Sequence, residues 1–148
     1  MPDMLLPDDR AVSLRAGIGG AIRLGACERP YAEDPYPFLD YAVEIRGGGV
    51  QASVLVRSLG GDDLPGLLRD LAADFRGWPG ARHWRSLEDQ LRIDATHDGL
   101  GHVTLLVRLR RRPYADDWDL AIPVIVEAGA EMTALADRFE VYFSDALG

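Results

Sequence analysis

Apolar and polar residues alternate over residues 39–57, and this alternation predicts two β-strands. The apolar positions of the first strand are Leu39, Tyr41, Val43 and Ile45. A two-residue loop at Gly47-Gly48 would pair these four residues with Val56, Val54, Ala52 and Val50, respectively. In that register every apolar side chain of both strands lies on one face, so we predict an antiparallel hairpin.

The same period of two recurs in five other segments. Three follow residue 90, namely residues 91–95, 103–109 and 118–126. Pro123 interrupts the last segment, so we expect an edge strand or a bulge there. Two shorter segments, residues 12–14 and 22–24, flank Gly17-Ile18-Gly19 and predict a further hairpin near the N-terminus.

Two segments have the spacing of an amphipathic helix. Over residues 61–76 the apolar stripe consists of Leu64, Leu67, Leu68, Leu71 and Phe75. Asp62 or Asp63 can cap its start, Pro65 suits the first turn, and Gly77 suits the end. The second stripe follows Gly129, with Glu131 in the first turn, and consists of Met132, Leu135, Ala136, Phe139 and Phe143.

These elements predict an α+β fold with the order ββββαβββα. We expect a mostly antiparallel sheet of about seven strands with two amphipathic helices packed on it. No linker or low-complexity segment divides the chain, so residues 1–148 are predicted to form a single domain.

Charge and composition exclude several classes of function. The net charge of −8 disfavours nucleic acid and anionic membranes as partners and favours a basic protein. Arg supplies all 16 basic residues, so lysine-based phosphate loops and Schiff bases are excluded. The N-terminal residues resemble neither a signal peptide nor a membrane span, and Cys27 is the only cysteine. We therefore expect a cytoplasmic protein without a cofactor.

The three histidines fall in one region and raise the question of a metal site. His97, Asp98 and His102, with His83 or Glu88, are residue types that bind zinc. A three-residue loop at Gly99-Leu100-Gly101 would instead place Asp98 opposite His102 as a cross-strand polar pair, with His97 on the other side. We favour this structural interpretation over a metal site.

Carboxylates could also serve an acid/base enzyme, because seven of them lie near predicted strand ends or loops. These are Glu33, Asp34, Glu88, Asp89, Asp94, Asp116 and Asp117. Their spacing does not indicate which two would converge. Nucleophile motifs are absent, and Cys27 has no histidine near it in the sequence. The balance favours a protein that is not an enzyme, and no catalytic residue is assigned.

Two nearly identical hexapeptides, at residues 29–34 and 112–117, combine aromatic and acidic side chains. A duplicated unit would explain them, as would the frequency of the residues involved. Aromatic anchors among negative charges suit a basic protein partner, although the same rings could instead cover the edge of the core. The predicted partner-binding residues are Tyr31, Asp34, Tyr36, Tyr114, Asp116, Asp117 and Trp118.

A further set of motifs carries a family resemblance. These are Gly77-Trp78-Pro79-Gly80, Trp84-Arg85-Ser86-Leu87-Glu88, Leu91-Arg92-Ile93, His97-Asp98 and Gly101-His102-Val103. Over nearly its whole length the chain resembles a family of unknown function from actinobacteria. That family is distantly similar to WapI-type immunity proteins, which bind and neutralise a toxin made by the same cell. The resemblance implies an inhibitor of a basic toxin; no catalytic residues are assigned in that family, so none is carried over to this chain.

Overall fold

The computed structural model describes residues 10–17, 19–112 and 116–148, and these form two antiparallel sheets of four strands, each followed by a helix. The first unit comprises β1 (Val12–Ala16), β2 (Gly20–Leu24), β3 (Phe38–Gly47), β4 (Val50–Leu59) and α1 (Leu64–Ala73). The second comprises β5 (Arg82–Arg85), β6 (Leu91–His97), β7 (His102–Arg110), β8 (Asp119–Glu127) and α2 (Ala130–Leu147). In each sheet the strands pair in sequence order.

The α+β class and the two helices are confirmed, but the prediction of a single sheet of about seven strands is wrong. There are two sheets, and the element order is ββββαββββα. The additional strand is β5, whose sequence Arg-His-Trp-Arg contains a single apolar residue and so lacks the alternation of a half-buried strand. Backbone pairing with β6 alone defines it, from Arg82 opposite Ala95 to Arg85 opposite Arg92.

The hairpin over residues 39–57 is confirmed, but its predicted register is wrong. Gly47 pairs with Val50, so the two-residue loop is Gly48-Gly49, and Ile45 faces Ala52 instead of Val50. Both loop residues have positive φ, 60° and 81°, as the tight turn of a hairpin requires. The turn moves by one residue and every pairing by two, so the apolar face stays the same.

The N-terminal hairpin is confirmed in β1 and β2, although Ile18 in its turn lies outside the described residues. β8 is an edge strand of the second sheet, as Pro123 predicted. The carbonyl oxygen of Pro123 accepts a hydrogen bond of 3.1 Å from the Gly17 N–H at the end of β1. The edges of the two sheets therefore meet at this point.

α1 departs from the prediction at both ends. Asp63 occupies the N-cap in a left-handed conformation and makes no side-chain cap, so the prediction of a capping aspartate is wrong. Phe75 lies beyond the last helical residue and is 51% exposed, so it does not belong to the buried stripe. Position 61, just before α1, requires glycine because a Cβ there would lie 2.8 Å from the ring of Phe143 on α2.

α2 follows its prediction, and Tyr142 joins the buried stripe. Arg69 of α1 forms ion pairs with Asp137 and Glu140 of α2, at 3.0 and 2.7 Å. Within the described residues, neither helix combines the length and apolar character needed to cross a membrane.

The apolar faces of both sheets and both helices form one hydrophobic cluster. Its largest fully buried side chains are Tyr41, Phe139, Ile22, Leu24, Leu39, Ile45, Leu64, Leu68, Leu71, Leu105, Leu109 and Met132. The hydrophobic effect thus holds each sheet against the helices, and the outward faces of the sheets remain available for polar and partner contacts.

We expect Gly20→Ala to destabilise the protein by about 2 kcal/mol, because close contacts in packed structure leave no room for an added methyl group. A Cβ at Gly20 would lie 1.9 Å from the carbonyl oxygen of Arg46 and 2.6 Å from the Cα of Gly47. Gly17→Ala is the matched control, since its Cβ would approach only Pro123 O, at 3.6 Å. Urea unfolding of both variants tests this; equal stabilities would contradict the close approach of β2 and β3.

Candidate functional site

The first hexapeptide forms a well-anchored loop between β2 and β3. Glu28 and Asp40 exchange two backbone hydrogen bonds of 2.9 Å, which close the base of the loop. Within it, the Tyr36 N–H donates to the carboxylate of Asp34 at 2.8 Å, and the Asp34 N–H donates to the Tyr31 carbonyl at 3.0 Å. These bonds hold the loop as a defined turn that projects both tyrosines.

Tyr31 and Tyr36 lie against Phe38 on the outward face of the first sheet. Each ring centroid is 6.4 Å from that of Phe38, and Tyr31 meets it edge-on at 86°. The guanidinium of Arg57 lies 5.2 Å from the Tyr31 centroid and is held by Asp40 through bonds of 2.8 and 2.9 Å. The tyrosines nevertheless remain 49% and 63% exposed, so these rings do not belong to the core.

Two leucines that the sequence analysis did not identify extend this surface. Leu59 is directly opposite Phe38 in the β3–β4 pairing and is 39% exposed. The carboxylate of Asp62 accepts one hydrogen bond from the Leu59 N–H at 3.0 Å and another from the Leu87 N–H at 2.9 Å. These bonds bring the backbone of Leu87, which lies in the β5–β6 turn and is 49% exposed, close to that of Leu59. We call Tyr31, Tyr36, Phe38, Leu59 and Leu87 the tyrosine surface.

The second hexapeptide belongs to the other sheet, between β7 and β8. Tyr114 lies outside the described residues, so its predicted role is untested. The carboxylate of Asp117 accepts a 2.8 Å hydrogen bond from Arg111 Nε and another from the Trp118 N–H; the Arg111 bond lowers the pKa of Asp117 most. Asp116 and Trp118 are exposed. Among the described residues, the side-chain contacts of the two loops do not join one loop to the other.

The two hexapeptides occupy different positions in the two units. The first follows the second strand of its sheet and the second follows the third strand. Duplication of a unit containing the hexapeptide would place both after the same strand, so the topology gives no support to that explanation of the repeat.

His97 connects the end of β6 to the residues that follow α1. The Gly99 N–H donates to Nδ1 at 2.9 Å, so Nδ1 is an acceptor. Nε2 therefore carries the hydrogen and donates to the Phe75 carbonyl at 2.9 Å. The ring also meets Trp78 edge-on, with centroids 5.3 Å apart. Since both ring nitrogens are engaged, His97 has no lone pair available for a metal.

Asp98 and His102 form the cross-strand pair that the loop length predicted. The Asp98 N–H donates to the His102 carbonyl, and the side chains meet at 2.9 Å between Nδ1 and Oδ2. Hydrogen bonds from the backbone N–H groups of His102 and Leu100 lower the pKa of Asp98 to about 2. No group of three metal-binding side chains occurs among residues 10–17, 19–112 and 116–148.

Several of the other candidate carboxylates are engaged by arginine or histidine. Asp94 lies 2.6 Å from His83 and 2.9 Å from Arg108; burial raises its pKa, but these two contacts outweigh burial and lower it overall. Asp89 pairs with Arg85 at 3.3 Å, whereas Glu33 and Glu88 are exposed. For Asp94, the contacts with His83 and Arg108 thus stabilise the ionised carboxylate.

Cys27 lies at the wall of a cavity of about 750 Å³ beside α2. Burial, together with Asp40 and Glu28, raises the pKa of its thiol to about 12. At neutral pH the thiol is therefore protonated and a poor nucleophile.

We expect His97→Ala to lower the free energy of unfolding by about 2 kcal/mol, because it removes two hydrogen bonds and the contact with Trp78. His102→Ala, the control, should cost less than about 1 kcal/mol, since it removes an exposed pair. Added zinc should leave the Tm of the parent protein unchanged. Equal costs for the two substitutions, or a zinc-dependent Tm, would contradict the structural role of His97.

Comparison with known proteins provides a family for the chain. A family model described as a family of unknown function, DUF6228, matches residues 15–146, from within β1 to near the end of α2. No curated protein and no solved structure matches the chain. The match reaches every strand and helix described above, and the expectation of a family of unknown function is confirmed. The chain belongs to the DUF6228 family.

Proposed function

We propose that this protein is a non-enzymatic binding domain that meets a basic protein partner through the tyrosine surface. The observation that carries the proposal is the exposure of Tyr31 and Tyr36, 49% and 63%, on a loop that hydrogen bonds hold in place. Exposed tyrosines on a fixed scaffold are typical of the central residues of protein interfaces.

The surface is organised before any partner arrives. Phe38 and Arg57 position Tyr31, and Asp34 fixes the backbone at Tyr36. A ring that is already oriented loses little conformational entropy on binding, so more of its burial energy contributes to affinity. The same contacts leave apolar ring area in water, where a partner can cover it.

Charge defines the kind of partner. Glu33 is exposed and Asp34 half-buried in the loop, and Glu88 is exposed next to Leu87. With a net charge of −8 the whole molecule attracts a basic protein and accelerates its approach. Asp116, Asp117, Trp118 and Tyr114 are proposed as a secondary contact on the other sheet. Because Arg111 already engages Asp117, that loop contributes less charge than its sequence indicates.

More specifically, we propose that the protein is an immunity-type inhibitor that binds a basic toxin in the cytoplasm. It rests on the resemblance to WapI-type immunity proteins and on the small size and negative charge of the chain. An inhibitor of this kind needs a complementary surface and no catalytic centre. The engaged histidines and the arginine-paired Asp89, Asp94 and Asp117 are consistent with this.

We expect the protein to bind the basic product of an adjacent reading frame, and Tyr36→Ala to weaken that binding at least tenfold, about 1.4 kcal/mol. Leu100→Ala is the matched control, because Leu100 is an 83% exposed apolar residue on the β6–β7 turn and does not belong to the tyrosine surface. Calorimetry with both purified proteins gives the dissociation constants, and Asp34→Arg should reduce both affinity and its dependence on salt. Tm values first establish that each variant is folded.

If Tyr36→Ala and Asp34→Arg both bind the partner with unchanged affinity, the tyrosine surface is excluded as the interface. Weakening by Asp117→Arg alone would move the interface to the second loop. If the product of the adjacent reading frame binds this protein but its toxicity is unchanged by that binding, the immunity role is excluded and the binding role remains.

A further inference from the structure

Three arginines lie in one row across the outward face of the second sheet. Arg85 of β5 is directly opposite Arg92 of β6, and Arg92 is directly opposite Arg108 of β7. Residues opposite one another in adjacent strands have their Cβ atoms about 5 Å apart, and like charges in such positions destabilise a sheet. The row therefore has a cost in the protein alone.

The neighbouring aspartates compensate for the two outer arginines only. Asp89 pairs with Arg85 at 3.3 Å, and Asp94 pairs with Arg108 at 2.9 Å while also contacting His83 at 2.6 Å. Arg92, between them, makes no hydrogen bond or ion pair with any residue in the described part of the chain. The central cation of the row is thus uncompensated.

An open groove of about 450 Å³ lies at this position. It is lined by His83, Trp84, Arg85, Arg92 and Asp94. Its volume leaves room for a small molecule, and the guanidinium of Arg92 is the donor in its lining that no aspartate engages.

We propose that Arg92, flanked by Arg85 and Arg108, binds the phosphoryl group of a small molecule in this groove. A planar guanidinium donates paired hydrogen bonds to phosphate oxygens, and a phosphate dianion offers more acceptors and more charge than a carboxylate. The net charge of −8 repels extended polyanions at long range, which favours a small ligand over nucleic acid or a membrane surface. The site is independent of the protein partner proposed above.

The test uses inorganic phosphate with the whole protein and two variants, Arg92→Gln and Arg46→Gln. Arg46 is an exposed strand arginine opposite Gln51 and Ala21, so its replacement changes the net charge equally without relieving a row of cations. In low-salt buffer without phosphate, Arg92→Gln should raise Tm relative to the parent, whereas Arg46→Gln should not. Phosphate should then raise the Tm of the parent and of Arg46→Gln. Arg92→Gln should bind phosphate at least tenfold more weakly than either of them.

Amide NMR spectra should place the phosphate-dependent shifts at residues 83–85, 92–94 and 108. Acetate at matched ionic strength should give at least tenfold weaker binding than phosphate. A lower Tm for Arg92→Gln without phosphate, equal phosphate binding by both variants, or equal effects of acetate and phosphate would each overturn the proposal. Binding to phosphatidylglycerol vesicles in preference to free phosphate would overturn the small-molecule assignment.

Discussion

One carboxylate, that of Asp62, connects the two halves of this structure. Its two oxygens accept the backbone N–H groups of Leu59 at the end of β4 and Leu87 in the β5–β6 turn. The carbonyl of Asp62 also accepts the indole N–H of Trp84 at 2.8 Å. Burial raises the pKa of Asp62, and the two backbone hydrogen bonds partly offset this effect. Its left-handed backbone, with φ 54°, turns the chain from β4 into α1.

This connection explains why the tyrosine surface crosses from one sheet to the other. Tyr31 and Tyr36 come from a loop whose composition predicted a binding role; both rings are exposed, and that role remains a prediction. Leu59 and Leu87 could not be assigned to the same surface from the sequence, because 28 positions separate them and tertiary contacts such as the Asp62 hydrogen bonds bring them together. A tertiary contact of this kind has no periodic signal along the chain.

The predictions that succeeded rest on local periodicity. The apolar faces of β3 and β4 were correct even though the turn was misplaced, because a shift of two residues preserves which face a side chain occupies. With three adjacent glycines, backbone freedom could not indicate which two would form the turn. β5 was missed because backbone pairing defines it, and the Asp98–His102 pair was found because loop length determines it. The engagement of His97 with Phe75 depends on helix placement, which periodicity does not reveal.

The hydrogen bond between Gly17 and Pro123 joins residues of the two sheets that lie far apart in the sequence. Within each sheet every strand pairs with its immediate neighbour in the sequence, so only short segments have to close on themselves. The contacts that unite the halves span far greater distances along the chain; the hydroxyl of Tyr142 and the carbonyl of Gly25, for example, are 117 positions apart. Loop-closure entropy is therefore concentrated in the docking of two hairpin-built halves, and we expect this docking to be slower than the formation of the hairpins.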